Sequence, residues 1–226
     1  MDPIATVPFE SDLQYILAEM NWIAARCRRL DIENHLRDVE DDPKPLPRTI
    51  GKGESMAAKE FRRRLPSLRE AEDGLRTTID ARLALNHTDG PVIALDTIVS
   101  DHNLSAFERT ILVLGCLPTL GHNYSDAFNA LSSFGFAGNS LSVETVWAFM
   151  GMGGEERVKS WRVFLPTSPL LREGLVTLSL YGYGSFNPSA LPGAIIELTS
   201  LAFSRIVGMP ELATIPVGKG SENKGG

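Results

Sequence analysis

The side chains able to do chemistry are scattered along this 226-residue chain rather than gathered into motifs. Its four histidines, His35, His87, His102 and His122, never recur at the i, i+4 spacing that presents two ligands to zinc on a helix. No Cys-x-x-Cys occurs. Acyl-transfer chemistry of the serine-hydrolase kind needs a nucleophile on a tight Gly-x-Ser-x-Gly turn, and none is present. Gly182-Tyr183-Gly184-Ser185-Phe186 comes nearest, in a Gly-rich loop. The adjacent pair Glu155-Glu156 points apart on a helix and makes poor acid/base partners. Two stretches imitate a phosphate loop, Thr49-Ile50-Gly51-Lys52-Gly53-Glu54-Ser55 and Val217-Gly218-Lys219-Gly220-Ser221. In both, a glycine separates the lysine from the next residue, and neither lies between a buried strand and a helix. These residues predict no enzyme and no cofactor for this chain.

Charge narrows the partners. Lys plus Arg number 22 against 28 Asp plus Glu, a net charge of −6. Nucleic-acid binding draws on counterion release at a basic surface, so this balance points away from DNA or RNA. Arg62-Arg63-Arg64, between Lys59 and Arg69, is the one concentrated basic stretch and a candidate partner-binding patch. Nearby Glu60, Glu70 and Glu72 make a solvated, charge-balanced helix face the plainer expectation. Arg26-Cys27-Arg28-Arg29 reads as a helix end, where positive charge suits the macrodipole. Cys27 and Cys116 are expected to be buried thiols. No apolar run reaches the ~18 residues of a membrane helix, and the N-terminus lacks a basic region followed by an apolar core. A cytoplasmic protein is expected.

The elements that must position these groups are mostly helical. Ser11 caps a helix to about Leu30 with Leu13, Ile16, Leu17, Met20, Ala24 and Cys27 in register. Residues 38–55 are rich in Pro, Gly and charge and read as a linker. Helical character returns at Ala57; Pro66 should interrupt it, and Ser67 should cap a second helix through Asn86. Val92–Val99 is too short to assign. Ser105-Ala106-Phe107-Glu108 has capping-box spacing ahead of a helix that is apolar on nearly every side. Pro118 and Gly121 should end it. Shorter helices are expected around Tyr124–Ser133, at Val143–Met150 after Ser142, around Glu155–Phe164 and after Ser168-Pro169. Alternation then marks a strand at Val176–Tyr181, a Gly/Pro/Ser-rich loop at Gly182–Pro192 and a returning strand at Ala194–Leu198. Thr199 caps a last helix closed by Gly208. Compact helices followed by a two-stranded ribbon are the order of a winged-helix module. Tyr183 and Phe186, in the loop, are the candidate partner-binding aromatics. Trp147, Phe149, Trp161 and Tyr181 are mostly expected in the core.

From Leu104-Ser105-Ala106-Phe107-Glu108-Arg109 through Leu117-Pro118-Thr119-Leu120 the chain resembles a segment in the N-terminal region of a group of bacterial AAA+ ATPases, where a winged-helix-like domain precedes the ATPase core. Ser168-Pro169-Leu170-Leu171-Arg172-Glu173-Gly174-Leu175 and Ala202-Phe203-Ser204-Arg205-Ile206-Val207-Gly208 follow in the same order, and the resemblance spans residues 10–212. Pro118-Thr119-Leu120-Gly121 stands where that group carries acidic residues, so no role of those carboxylates transfers. The pattern of elements and the resemblance together lead us to expect a mainly α fold with a small β-hairpin: an N-terminal helix and linker over 1–56, a helical section over 57–100 and a winged-helix-like domain over 101–212. The tail over 213–226, rich in Gly, Lys and Ser with nothing to bury, is expected to be disordered. It implies a non-catalytic recognition or regulatory module that binds protein partners or substrates, and joins a hexameric assembly when attached to its core. ATP and Mg would belong to that core, outside this chain. Some members accompany contractile injection systems. The alternative is a winged-helix DNA-binding transcriptional regulator, with Val143–Met150 or a neighbouring helix as reader and Tyr181–Asn187 as wing. Val143–Met150 carries no Arg, Asn or Gln for base readout.

Overall fold

Two long helices open the fold. The computed structural model describes residues 7–41, 56–120, 140–179 and 188–214. Helix α1 (Asp12–Asp41) runs eleven residues past the expected end at Leu30, and α2 (Met56–Thr88) packs antiparallel along it. Arg26, Arg28 and Arg29 therefore lie mid-helix, away from the last turn where the macrodipole would favour them. Helix α2 also runs through Pro66 without a break. Proline removes one backbone donor and crowds the carbonyl four residues back. Contacts of Phe61, Leu65 and Leu68 with Ile32 and Leu36 hold the turns on both sides of it. Ser67 caps nothing; its hydroxyl donates to the Arg64 carbonyl at 2.8 Å.

The short apolar stretch after α2 is helix α3 (Ala94–Asp101), whose first turn is held by Asp12: Ala94 N–H donates to its carboxylate at 2.6 Å. The capping box forms ahead of α4 (Ala106–Leu120). Glu108 N–H donates to Ser105 Oγ at 3.3 Å, and Ser105 N–H donates back to Glu108 Oε2 at 2.8 Å. Ile111 to Leu117 are all buried, as an all-round apolar helix requires. The helix passes Pro118 and continues to Leu120.

A two-residue strand β1 (Leu141–Ser142) leads into α5 (Val143–Met150), capped by Ser142, which accepts from Thr145 N–H at 3.1 Å. Gly151, at φ 68°, closes α5 in the left-handed region. Helix α6 (Gly154–Ser160) passes into a 3-10 turn (Trp161–Phe164), and α7 (Pro169–Arg172) precedes β2 (Val176–Ser179). A 3-10 turn (Pro188–Gly193) leads to β3 (Ile195–Leu198), and Thr199 caps α8 (Ser200–Ile206). The hairpin expected from alternation is present, with Val176 opposite Leu198 and Leu178 opposite Ile196. Strand β1 adds to its far side, Leu141 opposite Ile196, giving an antiparallel sheet in the order β1-β3-β2. At Gly115 a Cβ would stand 2.8 Å from Leu198, so the missing side chain lets α4 approach β3.

One buried cluster joins α1, α3, α4, α5 and the sheet, and takes Ile79 from α2. A second, smaller one (Ile32, Leu36 and Ala58) lies between the outer halves of α1 and α2. Cys27 and Cys116 are buried free thiols, and burial pushes each up to about 12. Residues 38–41 of the linker expected over 38–55 are instead the last turn of α1, and residues 213 and 214 of the tail expected over 213–226 close a 3-10 turn (Pro210–Thr214). The rest of both, and the helix around 124–133, lie outside the described residues. Among the described residues, no helix is long and apolar enough to cross a membrane.

Candidate functional site

Of the short helices ahead of the hairpin, α6 turns an exposed face outward, and its geometry is set from beneath. Trp147, buried on α5, donates its indole N–H to Ser160 Oγ at 2.8 Å, and Ser160 donates onward to the Arg157 carbonyl at 2.8 Å. Arg157 lies over the Trp147 ring at 5.5 Å, donates to the Met152 carbonyl at 3.0 Å and pairs with Glu144 at 3.0 Å. These contacts pin α6 to α5 by one face. The other face carries Glu155 and Glu156, with Lys159 held by Glu155 at 2.6 Å. Glu156 accepts from Gly153 N–H at 2.9 Å, completing an acidic first turn that repels anions. Val158 is 59% exposed, and Leu165, just past the 3-10 turn, 38%. Helix α5 itself is no reading surface, since Val143, Thr145, Val146, Trp147 and Phe149 are all buried.

The sequence-predicted site residues fall into two groups. Tyr183 and Phe186 lie outside the described residues. Arg62, Arg63 and Arg64 are exposed on α2 beside the outer hydrophobic cluster, on a different element from the hairpin. Arg63 pairs with Glu60 at 2.9 Å, as the charge-balanced reading expects. Glu72, however, is buried and faces α1 instead. Among the described residues no group of three His, Cys, Asp or Glu side chains could hold a metal.

What sequence reasoning missed is a ladder of buried carboxylates joining α1, α2 and α4. Glu19, 1% exposed, accepts from Arg76 at 3.0 Å, Arg109 at 2.8 Å and the Tyr15 hydroxyl at 2.8 Å. Arg109 also touches that hydroxyl. Burial alone would raise the Glu19 pKa, but Arg109 and Arg76 outweigh it and hold the carboxyl below its ordinary range. Burial, followed by the Glu19 charge, drives Tyr15 well above the usual phenol value. One turn further out, Glu72 receives Arg26 at 3.1 Å and Arg29, and Glu33 receives Arg29 at 2.6 Å and Arg69 at 2.9 Å. Arg26 also donates to the Phe149 carbonyl at 3.1 Å and lies over its ring. Arg26 and Arg29, read as a helix end, are therefore cations of an internal network, while Arg28 is exposed. A faint signal was available: Glu19 falls on the apolar stripe with Ile16, Met20 and Ile23, where a lone charge needs a partner.

A sheet ordered β1-β3-β2, with α4, α5 and α6 threaded before its hairpin, is the layout of a winged helix. The family model described as winged helix domain, variant, matches residues 1–213. The chain belongs to this family. No curated protein and no solved structure matches the chain. In this winged helix domain, α6 and its 3-10 turn precede the hairpin, the place from which related modules present a helix to DNA or to protein.

Proposed function

We propose that this winged helix domain is a non-catalytic recognition module that binds protein, serving an AAA+ ATPase whose core supplies ATP and Mg chemistry. The ATPase association rests on the sequence resemblance over residues 10–212. Protein as the partner rests on one observation: α6 and the turn after it are acidic at the start and apolar at the exposed Val158 and Leu165, with Arg157 and Lys159 each held by a glutamate and Arg162 the one further exposed cation in the segment. Duplex binding requires cations free to displace counterions along such a helix. Protein interfaces instead favour an apolar centre inside a charged rim.

Two titrations test the reading. Fluorescence anisotropy with duplex DNA at physiological salt should give binding no tighter than the weak end of the non-specific range, about 10⁻⁴ M. Co-elution with an AAA+ ATPase core should be lost on Val158→Glu with Leu165→Glu, with the melting temperature unchanged. Tight, steeply salt-dependent duplex binding would return the domain to the DNA-regulator reading. Co-elution indifferent to the double substitution would remove α6 from the interface.

A further inference from the structure

The elbow between α5 and α6 is held by an arginine on each side. At the end of α5 the Trp147 carbonyl accepts from Met152 N–H at 3.0 Å and the Ala148 carbonyl from Gly151 N–H at 3.1 Å. Phe149 is also among the last four carbonyls of α5, which have no donor within the helix. Arg26 of α1 fills that place: its Nε–H donates to the Phe149 carbonyl at 3.1 Å, and its guanidinium lies over the Phe149 ring at 5.0 Å. On the other side Arg157 of α6 donates to the Met152 carbonyl at 3.0 Å. Gly151, between them, is at φ 68°, and no atom lies within 4 Å of where its Cβ would stand. Nothing therefore packs on the elbow from outside, and the two guanidinium groups set its angle.

Arg26 has a second partner, on a third helix. Its Nη1 donates to Glu72 of α2 at 3.1 Å, and Glu72 is 5% exposed and also holds Arg29. A guanidinium is planar and rigid, so the carboxylate that holds Nη1 also fixes where Nε–H points. Among the described residues, Arg29 and Arg69 of the same ladder reach only the carboxylates Glu72 and Glu33, whereas Arg26 leaves the helix pair for the α5 carbonyl. From this we infer that Arg26 is a positioning residue for the recognition surface, through which Glu72 on α2 sets the pose of α6. The inference rests on the reading of α6 as that surface.

Hydrogen exchange of the full chain tests the pose without a partner, with the α4 amides of Ile111–Leu114 as the reference for global opening. Arg26→Gln and Glu72→Gln should each speed exchange at the α6 amides of Arg157–Ser160 roughly tenfold relative to that reference, the scale of one hydrogen bond to a charged group. The two together should add little to either alone, because they break one chain of contacts. Glu33→Gln removes a partner of Arg29 and Arg69 but none of Arg26, and should leave α6 at the wild-type ratio. Arg26→Lys keeps a cation beside Glu72 with a single nitrogen in place of the fork, so it should loosen α6 even where Glu72→Gln does not fold. Capture of an AAA+ ATPase core should weaken in Arg26→Gln, although Arg26 lies on α1. Wild-type α6 exchange in both Arg26 variants overturns the inference. So does an equal rise in Glu33→Gln, or additive effects in the double variant. Co-elution indifferent to Val158→Glu with Leu165→Glu would instead refute the recognition reading, and the exchange comparison tells the two failures apart.

Discussion

Replacing Glu19 with glutamine keeps the side-chain volume and deletes the charge on which Arg76, Arg109 and Tyr15 converge. No cavity opens, so the cost is electrostatic. Removing one partner of a buried ion pair costs about 3–5 kcal/mol. Here the two arginines keep 27% and 23% of their side-chain surface in solvent, which lets water recover part of the loss. The lower end, about 3 kcal/mol, is therefore expected. In a chain of this size that lowers the melting temperature by roughly 6–12 °C. Urea titration should show an earlier midpoint with an unchanged slope. The pH dependence supplies a second reading. The folded Glu19 pKa lies below its unfolded value of about 4.3. Its stabilisation is thus fully present above that pH and is lost as pH falls through the lower, folded value. Glu19→Gln should flatten this part of the acid limb, while Glu60→Gln on the surface should leave the midpoint where it is. A cost below about 1 kcal/mol, or an acid limb identical to wild type, would refute the assignment of Glu19 as a charged hub.

Three further outcomes follow from local geometry. Gly115→Ala drives a methyl into Leu198 and should cost about 1–3 kcal/mol by calorimetry, a loss reduced when Leu198→Val is added. Ser142→Ala removes the α5 cap and should cost about 1 kcal/mol, with Ser142→Thr recovering most of it. Both thiols sit near 12 and are buried, so at pH 8 an aromatic disulfide reagent should label neither until denaturant unfolds the chain.

Signals confined to a few residues carried over into the structure. The capping box at Ser105 and Glu108, the caps at Ser142 and Thr199, and the alternation of Val176–Ser179 each depend on neighbours in sequence. The length of the helices did not read out locally. Pro66 looked like a break because its intrinsic cost is visible in sequence, whereas the packing of Phe61, Leu65 and Leu68 that offsets it comes from another helix. Strand β1 escaped notice because two residues have no period; Leu141 and Ser142 are a strand only because Ile195 and Ile196 lie beside them. The carboxylate ladder was hidden for the same reason. Glu19 and Arg109 are ninety residues apart, and only the meeting of α1 with α4 makes them partners. Of the candidate site residues, Arg62–Arg64 are helical as expected, but on one helix with the Ser67–Asn86 stretch rather than ahead of a break.

The division of apolar contacts between the two clusters also sets an order of opening. The inner half of α1 is buried in the main cluster, while its outer half is held to α2 by Ile32, Leu36, Ala58 and partly buried neighbours. Backbone amides near Leu36 should therefore exchange with solvent through local fraying of the helix pair, and those near Ile23 only when the whole domain unfolds. A single continuous helix thus spans two tiers of protection. Its outer turns can exchange and be clipped by proteases while its inner turns still report the stability of the whole.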